Sequence, residues 1–151
     1  MASLGHKVIA VDLPGYGQSE RFNGDRGDLL VALIKALSPN QKPVLVSPSM
    51  SGSFSLPLLD KNPDLLCGYI PVAPVATSLY SKSFFLSIQV PTMIVYGDQD
   101  TGLGSTSARH LGDIPTATAP QILPNSRHPA YLDQPKIWHQ LIYNFMLHLN
   151  C

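Results

Sequence analysis

Ser49, Asp100 and His128 are residues of the three types that together perform nucleophilic acyl chemistry, and they occur in this order along the 151-residue chain. In such sites a histidine takes the proton of the serine hydroxyl, and a carboxylate orients the histidine. Each of the three follows a short apolar segment that is typical of a buried strand. Three matches in one order, each after a separate strand, are far less expected by chance than any one of them.

The serine lies in the segment Ser47-Pro48-Ser49-Met50-Ser51, between a predicted strand and a predicted helix. A nucleophile at such a junction needs small neighbours on both sides, usually glycines in the pattern G-x-S-x-G, because the turn is tight. Here Ser47 and Ser51 occupy the small positions, so Ser49 is the candidate nucleophile. The Met50 amide would precede the helix and could donate to an oxyanion. The alternative is a plain serine-rich helix cap.

The acid and the histidine each have an ordinary alternative as well. Asp98 and Asp100 both follow the apolar segment 92–97, so either could orient the histidine, and the pair could equally be a solvated acidic turn. His128 could be the general base for Ser49 or an exposed loop histidine.

Short apolar runs alternate with longer amphipathic ones along the whole chain. The predicted strands are 7–12, 44–47, 68–72, 92–97 and 119–123. The predicted helices are 29–37, 51–60, 105–111 and 136–149. This alternation predicts an α/β fold, a mainly parallel sheet with helices on both faces, in a single domain over 1–151. Loops after the carboxyl ends of such strands are where open α/β sheets bind ligands.

Composition excludes several function classes. Lys plus Arg and Asp plus Glu total 10 each, so the formal net charge is zero, and 13% of residues are charged. A neutral chain without a basic stripe predicts no nucleic-acid partner and no polybasic attachment to a membrane. No apolar run approaches the length of a membrane span, and the first residues resemble neither a signal nor a transit peptide. Cys67 and Cys151 are expected to be free thiols, which favours the cytoplasm.

Five segments together resemble one known family. They are Asp12-Leu13-Pro14-Gly15-Tyr16-Gly17-Gln18-Ser19, SPSMSG at 47–52, PVAP at 71–74, VYGDQD at 95–100 and HPAYL at 128–132. The first resembles the D-x-P-G-x-G-x-S turn of α/β-hydrolases. The set resembles the α/β-hydrolase domain-containing protein 14 family, whose B member is also described as a CCG1-interacting factor. Serines in place of both elbow glycines are the most specific signature.

The resemblance implies Ser49 as nucleophile, His128 as base and Asp100 as acid, with Asp98 as the rival acid. It also implies that Tyr131 and Trp138 pack in the core, and it allows a nuclear location. The family's third strand ends in a His-Gly loop that supplies a second oxyanion amide. This sequence contains no such strand or loop, so we expect a truncated α/β-hydrolase fold with unpaired strand edges.

Two functions from different classes follow. The first is a serine hydrolase or acyl-transfer enzyme acting on a small ester, thioester or acyl amide. The second is a non-catalytic interaction module or inactive isoform, with protein partners or self-association through the exposed strand edges. Neither requires a cofactor or a metal, since the sequence has no HExxH pattern and no Cys/His cluster.

Overall fold

Four parallel strands form a single sheet in a computed structural model that describes residues 1–151. The strands are β1 (Val44–Pro48), β2 (Gly68–Val72), β3 (Val95–Gly97) and β4 (Gln121–Leu123), in the spatial order β1-β2-β3-β4. Six α-helices connect and cover them: α1 (Arg26–Leu37), α2 (Gly52–Lys61), α3 (Lys82–Ser87), α4 (Gly104–Leu111), α5 (Ala130–Asp133) and α6 (Pro135–Leu147). Short 3-10 turns cover Ala2–Leu4, Ser49–Ser51, Pro63–Leu65 and Thr77–Leu79.

The sheet separates two apolar clusters, one on each face. Along β2, whose residues are all buried, Tyr69 packs into the first cluster while Ile70 and Val72 pack into the second. The first cluster includes residues of α1, α2 and α4, and the second includes Trp138 and Ile142 of α6. Helices therefore cover both faces, as the near-continuous apolar strands predict, and the α/β class is confirmed.

A proline in β2 explains why β3 is shorter than predicted. The amides of β2 that face β3 are those of Tyr69, which donates to Pro91, and Ala73, which donates to Val95. Pro71 lies between them in this alternation and has no N–H, so one bond of the ladder is missing. Thr92 consequently pairs only as an isolated bridge, and the continuous strand begins at Val95 instead of residue 92.

The predicted first strand, 7–12, is not a strand in the structure. Its apolar side chains are largely exposed, 62% for Val8 and 44% each for Ile9 and Val11. Its backbone forms no hydrogen bond with β1, which pairs with β2 alone. The residue pattern indicates that segment 7–12 prefers an extended backbone. A strand also needs a neighbouring strand whose amides and carbonyls can pair with its own.

The turn that follows this segment is compact. The Gln18 amide donates to the Asp12 carboxylate at 3.1 Å, and the Ser19 hydroxyl donates to the Asp12 carbonyl at 2.7 Å. At Gly17, with a φ of 55°, a Cβ atom would collide with the Asp12 carboxylate. The motif therefore folds locally although the strand before it does not pair.

The two cysteines form a disulfide, so the expectation of free thiols is wrong. The last helix, α6, ends against the beginning of β2, where a Cβ at Gly68 would lie 3.0 Å from Leu149 and 3.1 Å from Phe145. This packing brings Cys151 beside Cys67, with 5.4 Å between their Cα atoms. Disulfides are uncommon in the cytosol, so the cysteines give no support to the predicted cytoplasmic location, which stays a prediction. No helix is both long and apolar enough to cross a membrane.

We expect reduction of this disulfide to lower the free energy of unfolding by about 2–4 kcal/mol, because it closes a long loop in the unfolded chain. Urea unfolding of the oxidised and reduced protein measures the difference, and intact mass reports the two added hydrogens. Cys151→Ser is the matched control, since its stability should not respond to the reductant. An equal response of the variant would contradict the prediction.

Candidate active site

Ser49 comes directly after β1, at a strained turn of the backbone. Its φ of 47° is in the left-handed region, which costs a non-glycine residue about 1–3 kcal/mol. The turn is held from the loop after β2, whose Val75 amide donates to the Ser49 carbonyl at 2.9 Å. Gly52 permits this approach, since a Cβ there would lie 2.5 Å from the Val75 carbonyl oxygen. The backbone of the two loops therefore fixes where the Ser49 hydroxyl points.

Strain of this kind is confined to loops at one edge of the sheet. The other non-glycine residues with positive φ are Ala73 and Ala76, after β2, and Asn125, after β4. The carboxyl ends of parallel strands meet at the same edge, so all of these lie in loops at the end where Ser49 lies. Clustered backbone outliers are typical of functional sites, because the surrounding structure must maintain them.

His128, in the loop after β4, joins the loops after β1 and β3 through both nitrogens of its ring. Nε2 lies 2.7 Å from the Ser49 Oγ, and Nδ1 lies 2.9 Å from the Asp100 Oδ2. Since an ionised carboxylate can only accept, Nδ1 carries the proton and Nε2 accepts from the serine hydroxyl. This tautomer leaves Nε2 ready to take the serine proton.

Asp100 is almost completely buried, with 4% of its side chain exposed. The second carboxylate oxygen accepts from the amides of Gly102, at 3.2 Å, and Leu103, at 3.0 Å. Burial raises the pKa of Asp100, but the hydrogen bonds from His128 and from the backbone outweigh it, so the pKa lies below its ordinary value. The group is therefore a carboxylate at neutral pH.

Asp98, the rival acid, does not touch His128. Its Oδ1 accepts from the Ser126 amide at 3.0 Å, and this bond, with a second from the Asn125 amide, holds the pKa of Asp98 below its usual range. The Gln99 amide also donates to the Ser126 carbonyl, at 2.9 Å. The structure thus places Asp100 against the histidine ring, while Asp98 holds the loop that carries the ring.

Met50 lies in the 3-10 turn between Ser49 and α2. Its amide forms no hydrogen bond within the chain, so the N–H beside the serine is free to donate to a ligand. Of the two residues that the resemblance implies pack in the core, Trp138 is buried in the second apolar cluster, and Tyr131 packs against it partly buried, with 5.6 Å between the ring centroids. Tyr80, Phe84 and Phe85 contact one another beside the first cluster, where Phe85 alone of the three is buried.

Sequence reasoning missed a buried chain of hydroxyl groups beneath the serine turn. The Ser47 Oγ lies 2.7 Å from the Ser55 Oγ, which lies 3.0 Å from the hydroxyl of Tyr69. A tyrosine in an otherwise apolar central strand was the available signal, since a buried tyrosine hydroxyl requires a partner. No group of three His, Cys, Asp or Glu side chains is arranged to hold a metal ion.

Comparisons with known proteins show which proteins the chain is similar to. No family model matches the chain. It is 39% identical over 155 residues to Protein ABHD14A of Danio rerio, spanning 99% of this chain but 57% of that protein. It is 37% identical over 153 residues to the human protein named "Putative protein-lysine deacylase ABHD14B", spanning 97% of this chain and 71% of that protein.

Solved structures with the same fold are α/β-hydrolases. A CIB-like hydrolase from Thermoplasma acidophilum superimposes with a TM-score of 0.80 at 22% identity, over 89% of this chain and 69% of that one. A serine hydrolase of carbazole degradation, CarC, gives a TM-score of 0.73 at 17% identity, over 87% and 76% of the two chains. At these identities the likeness establishes the fold alone.

The lowered pKa of Asp100 predicts an acid-sensitive contribution to stability. A carboxylate with a lower pKa in the folded than in the unfolded state stabilises the fold above about pH 4 and loses this effect as the pH falls. We therefore expect Asp100→Asn to lower the free energy of unfolding by roughly 1–3 kcal/mol at pH 7, the range for hydrogen bonds to charged groups. The cost should shrink toward pH 3 in urea unfolding. A cost that does not change between pH 7 and pH 3 would contradict this, because the other acids are common to both proteins.

Proposed function

This chain belongs to the ABHD14 family of α/β-hydrolase-fold proteins, and we propose that it is a serine hydrolase or acyl-transfer enzyme that uses Ser49, His128 and Asp100 as its catalytic triad. The observation that carries the proposal is the continuous hydrogen-bonded chain from the Ser49 hydroxyl through the His128 ring to the Asp100 carboxylate. Because the chain spans only 57% of the fish relative, activity is proposed for these 151 residues and is not transferred from the longer proteins.

In the first half of the reaction, the Ser49 Oγ attacks the acyl carbonyl carbon while its proton passes to the His128 Nε2. The carbonyl electron pair becomes an oxyanion. When the intermediate collapses, the bond to the leaving amine, alcohol or thiol breaks, and the leaving group takes the proton from His128. Asp100 stabilises the imidazolium ion that exists between these proton transfers.

In the second half, water or another acyl acceptor attacks the acyl-serine and gives its proton to His128. The bond to Ser49 breaks, the serine oxygen regains a proton, and the acyl group leaves as the acid or the new acyl product. The free Met50 amide supplies one donor for the oxyanion in both halves. Removing one oxyanion donor costs about 10²–10³ in kcat in enzymes, so the Met50 amide is expected to matter for the rate.

The proposed substrate class is a small ester, thioester or acyl amide. Support for an amide comes from the relatives in Pongo abelii and Homo sapiens that carry the name "Putative protein-lysine deacylase ABHD14B", because an acylated lysine is an acyl amide. A short acyl-lysine peptide is therefore the first amide to test beside simple esters.

The proposal predicts covalent labelling of Ser49 by a fluorophosphonate probe, located by intact mass and peptide mapping. Ser49→Ala should abolish the labelling, and His128→Ala should slow it by at least about 10³-fold, since the serine loses its base. Ser51→Ala is the matched control. This variant lacks a neighbouring hydroxyl that forms no hydrogen bond, and its Ser49 should be labelled at the same rate as Ser49 of the unchanged protein.

The two aspartates provide a second matched pair. Asp100→Asn should slow labelling far more than Asp98→Asn, because only Asp100 contacts the histidine ring. A folded protein that is not labelled, or labelling that survives Ser49→Ala, would overturn the proposed function. Equal effects of the two aspartate changes would overturn the role given to Asp100.

We propose self-association as a second candidate function, on the evidence of an unpaired strand edge and an unpaired extended segment in the same chain. The outer edge of β1 forms no hydrogen bonds, and the apolar segment 7–12 is exposed and pairs with nothing. A second copy of this chain can satisfy both, since its 7–12 segment can add to β1 while the first copy reciprocates. Such an exchange closes a two-fold symmetric dimer.

Size-exclusion chromatography with light scattering, over a range of concentrations, should show a dimer. We expect Val46→Lys to shift it to the monomer, because a lysine on an edge strand opposes pairing. Leu79→Lys is the control, since Leu79 is 81% exposed but lies outside any strand. A monomer at all concentrations, or a dimer unaffected by Val46→Lys, would overturn this function.

A further inference from the structure

The buried hydroxyl groups of Ser47, Ser55 and Tyr69 form a hydrogen-bonded hydroxyl chain beside the turn that carries Ser49. Ser47 lies in β1, two residues before Ser49, and Ser55 lies in α2, six residues after Ser49. Tyr69 belongs to β2, the strand that pairs with β1. The hydroxyl chain thus ties together the strand before the turn, the helix after it and the neighbouring strand.

All three side chains are removed from water, with exposures of 1% for Ser47 and Ser55 and 0% for Tyr69. A buried hydroxyl without a hydrogen-bond partner is unfavourable, so each of the three side chains depends on the others for a partner. Movement of α2 relative to β1 would break the contact between Ser47 and Ser55. The hydroxyl chain therefore opposes changes in the angle between β1 and α2.

The backbone at Ser49 needs such support. A φ of 47° is unfavourable for serine, and the Val75 amide holds the turn from one side only. The usual elbow has glycine at the position of Ser47, where no side chain could make this link. The serine at this position adds a connection that a glycine elbow does not have.

We propose that Ser47, Ser55 and Tyr69 are positioning residues that hold Ser49 in its attacking geometry against His128. This inference rests on the proposed function, because it concerns the reactivity of the same serine. A displacement of about 1 Å at a reacting atom can cost about 10²-fold in rate, so loosening the turn should lower reactivity more than it lowers binding.

The hydroxyl chain carries no charge over the working range of pH. Burial raises the pKa of Tyr69 to about 12, although the hydrogen bonds from Ser55 and Ser47 oppose the rise. Removing the tyrosine hydroxyl should therefore slow the reaction by the same factor between pH 6 and pH 9. The midpoint of the pH profile should not move.

The test is the rate of fluorophosphonate labelling of Ser49 in Tyr69→Phe and Ser47→Ala, at a temperature well below unfolding. We expect at least about a tenfold decrease in the maximal labelling rate for each, with less than a threefold change in the probe concentration for half-saturation. Thr92→Val is the matched control. It also removes a buried hydroxyl, Thr92 being 0% exposed, but one that donates to the Val90 carbonyl and is not part of the Ser47, Ser55 and Tyr69 hydrogen bonds.

The outcomes separate the positioning role from the proposed function. If the unchanged chain is not labelled at Ser49, the proposed function fails and the positioning role fails with it. If the chain is labelled and Tyr69→Phe reacts at the same rate, only the positioning role is overturned. A Thr92→Val variant that slows as much as Tyr69→Phe, or a shifted pH inflection, also overturns it, since general destabilisation or charge coupling would then explain the loss.

Discussion

The pair of hydrogen bonds made by the His128 ring is the constraint on which the rest of the structure depends. An imidazole is short and rigid, so Ser49 and Asp100 can reach its two nitrogens only if three separate loops converge within a few ångströms. The parallel sheet provides this, because β1, β3 and β4 all end at the same edge. The residues that bring the loops together therefore matter as much as the three that form the chain of hydrogen bonds.

Convergence is maintained chiefly by backbone contacts. The Val75 amide holds the serine turn, and the Gly102 and Leu103 amides hold the Asp100 carboxylate. At Gly97, a Cβ would collide with the Ser126 carbonyl, so only glycine lets the acid loop and the histidine loop lie against each other. A glycine, a strained backbone conformation and a buried carboxylate each lower the stability of a fold. Here they occur together because the site requires them.

The order of Ser49, Asp100 and His128 and the strands before them could be predicted from the sequence, because short apolar runs with a loop residue at the end are local signals. The choice between Asp98 and Asp100 rested on resemblance, since both follow the same strand and differ only in where their carboxylates point. The resemblance implied unpaired strand edges, but the residue pattern still predicted a strand over 7–12 where none forms, and it gave no indication of the Cys67–Cys151 bond. Both depend on which distant segment lies alongside, and residue pattern carries no information about that.

The disulfide between Cys67 and Cys151 divides the polypeptide into a closed loop and an open segment. It closes the last 85 residues into a ring that contains Asp100 and His128, whereas Ser49 lies on the open part of the chain, with a sequence separation of 84 between the two cysteines. A pulling force applied to the two termini would pass from Cys67 directly to Cys151 and leave the ring slack. Under mechanical load the nucleophile would be drawn away first, and the acid and base would remain together.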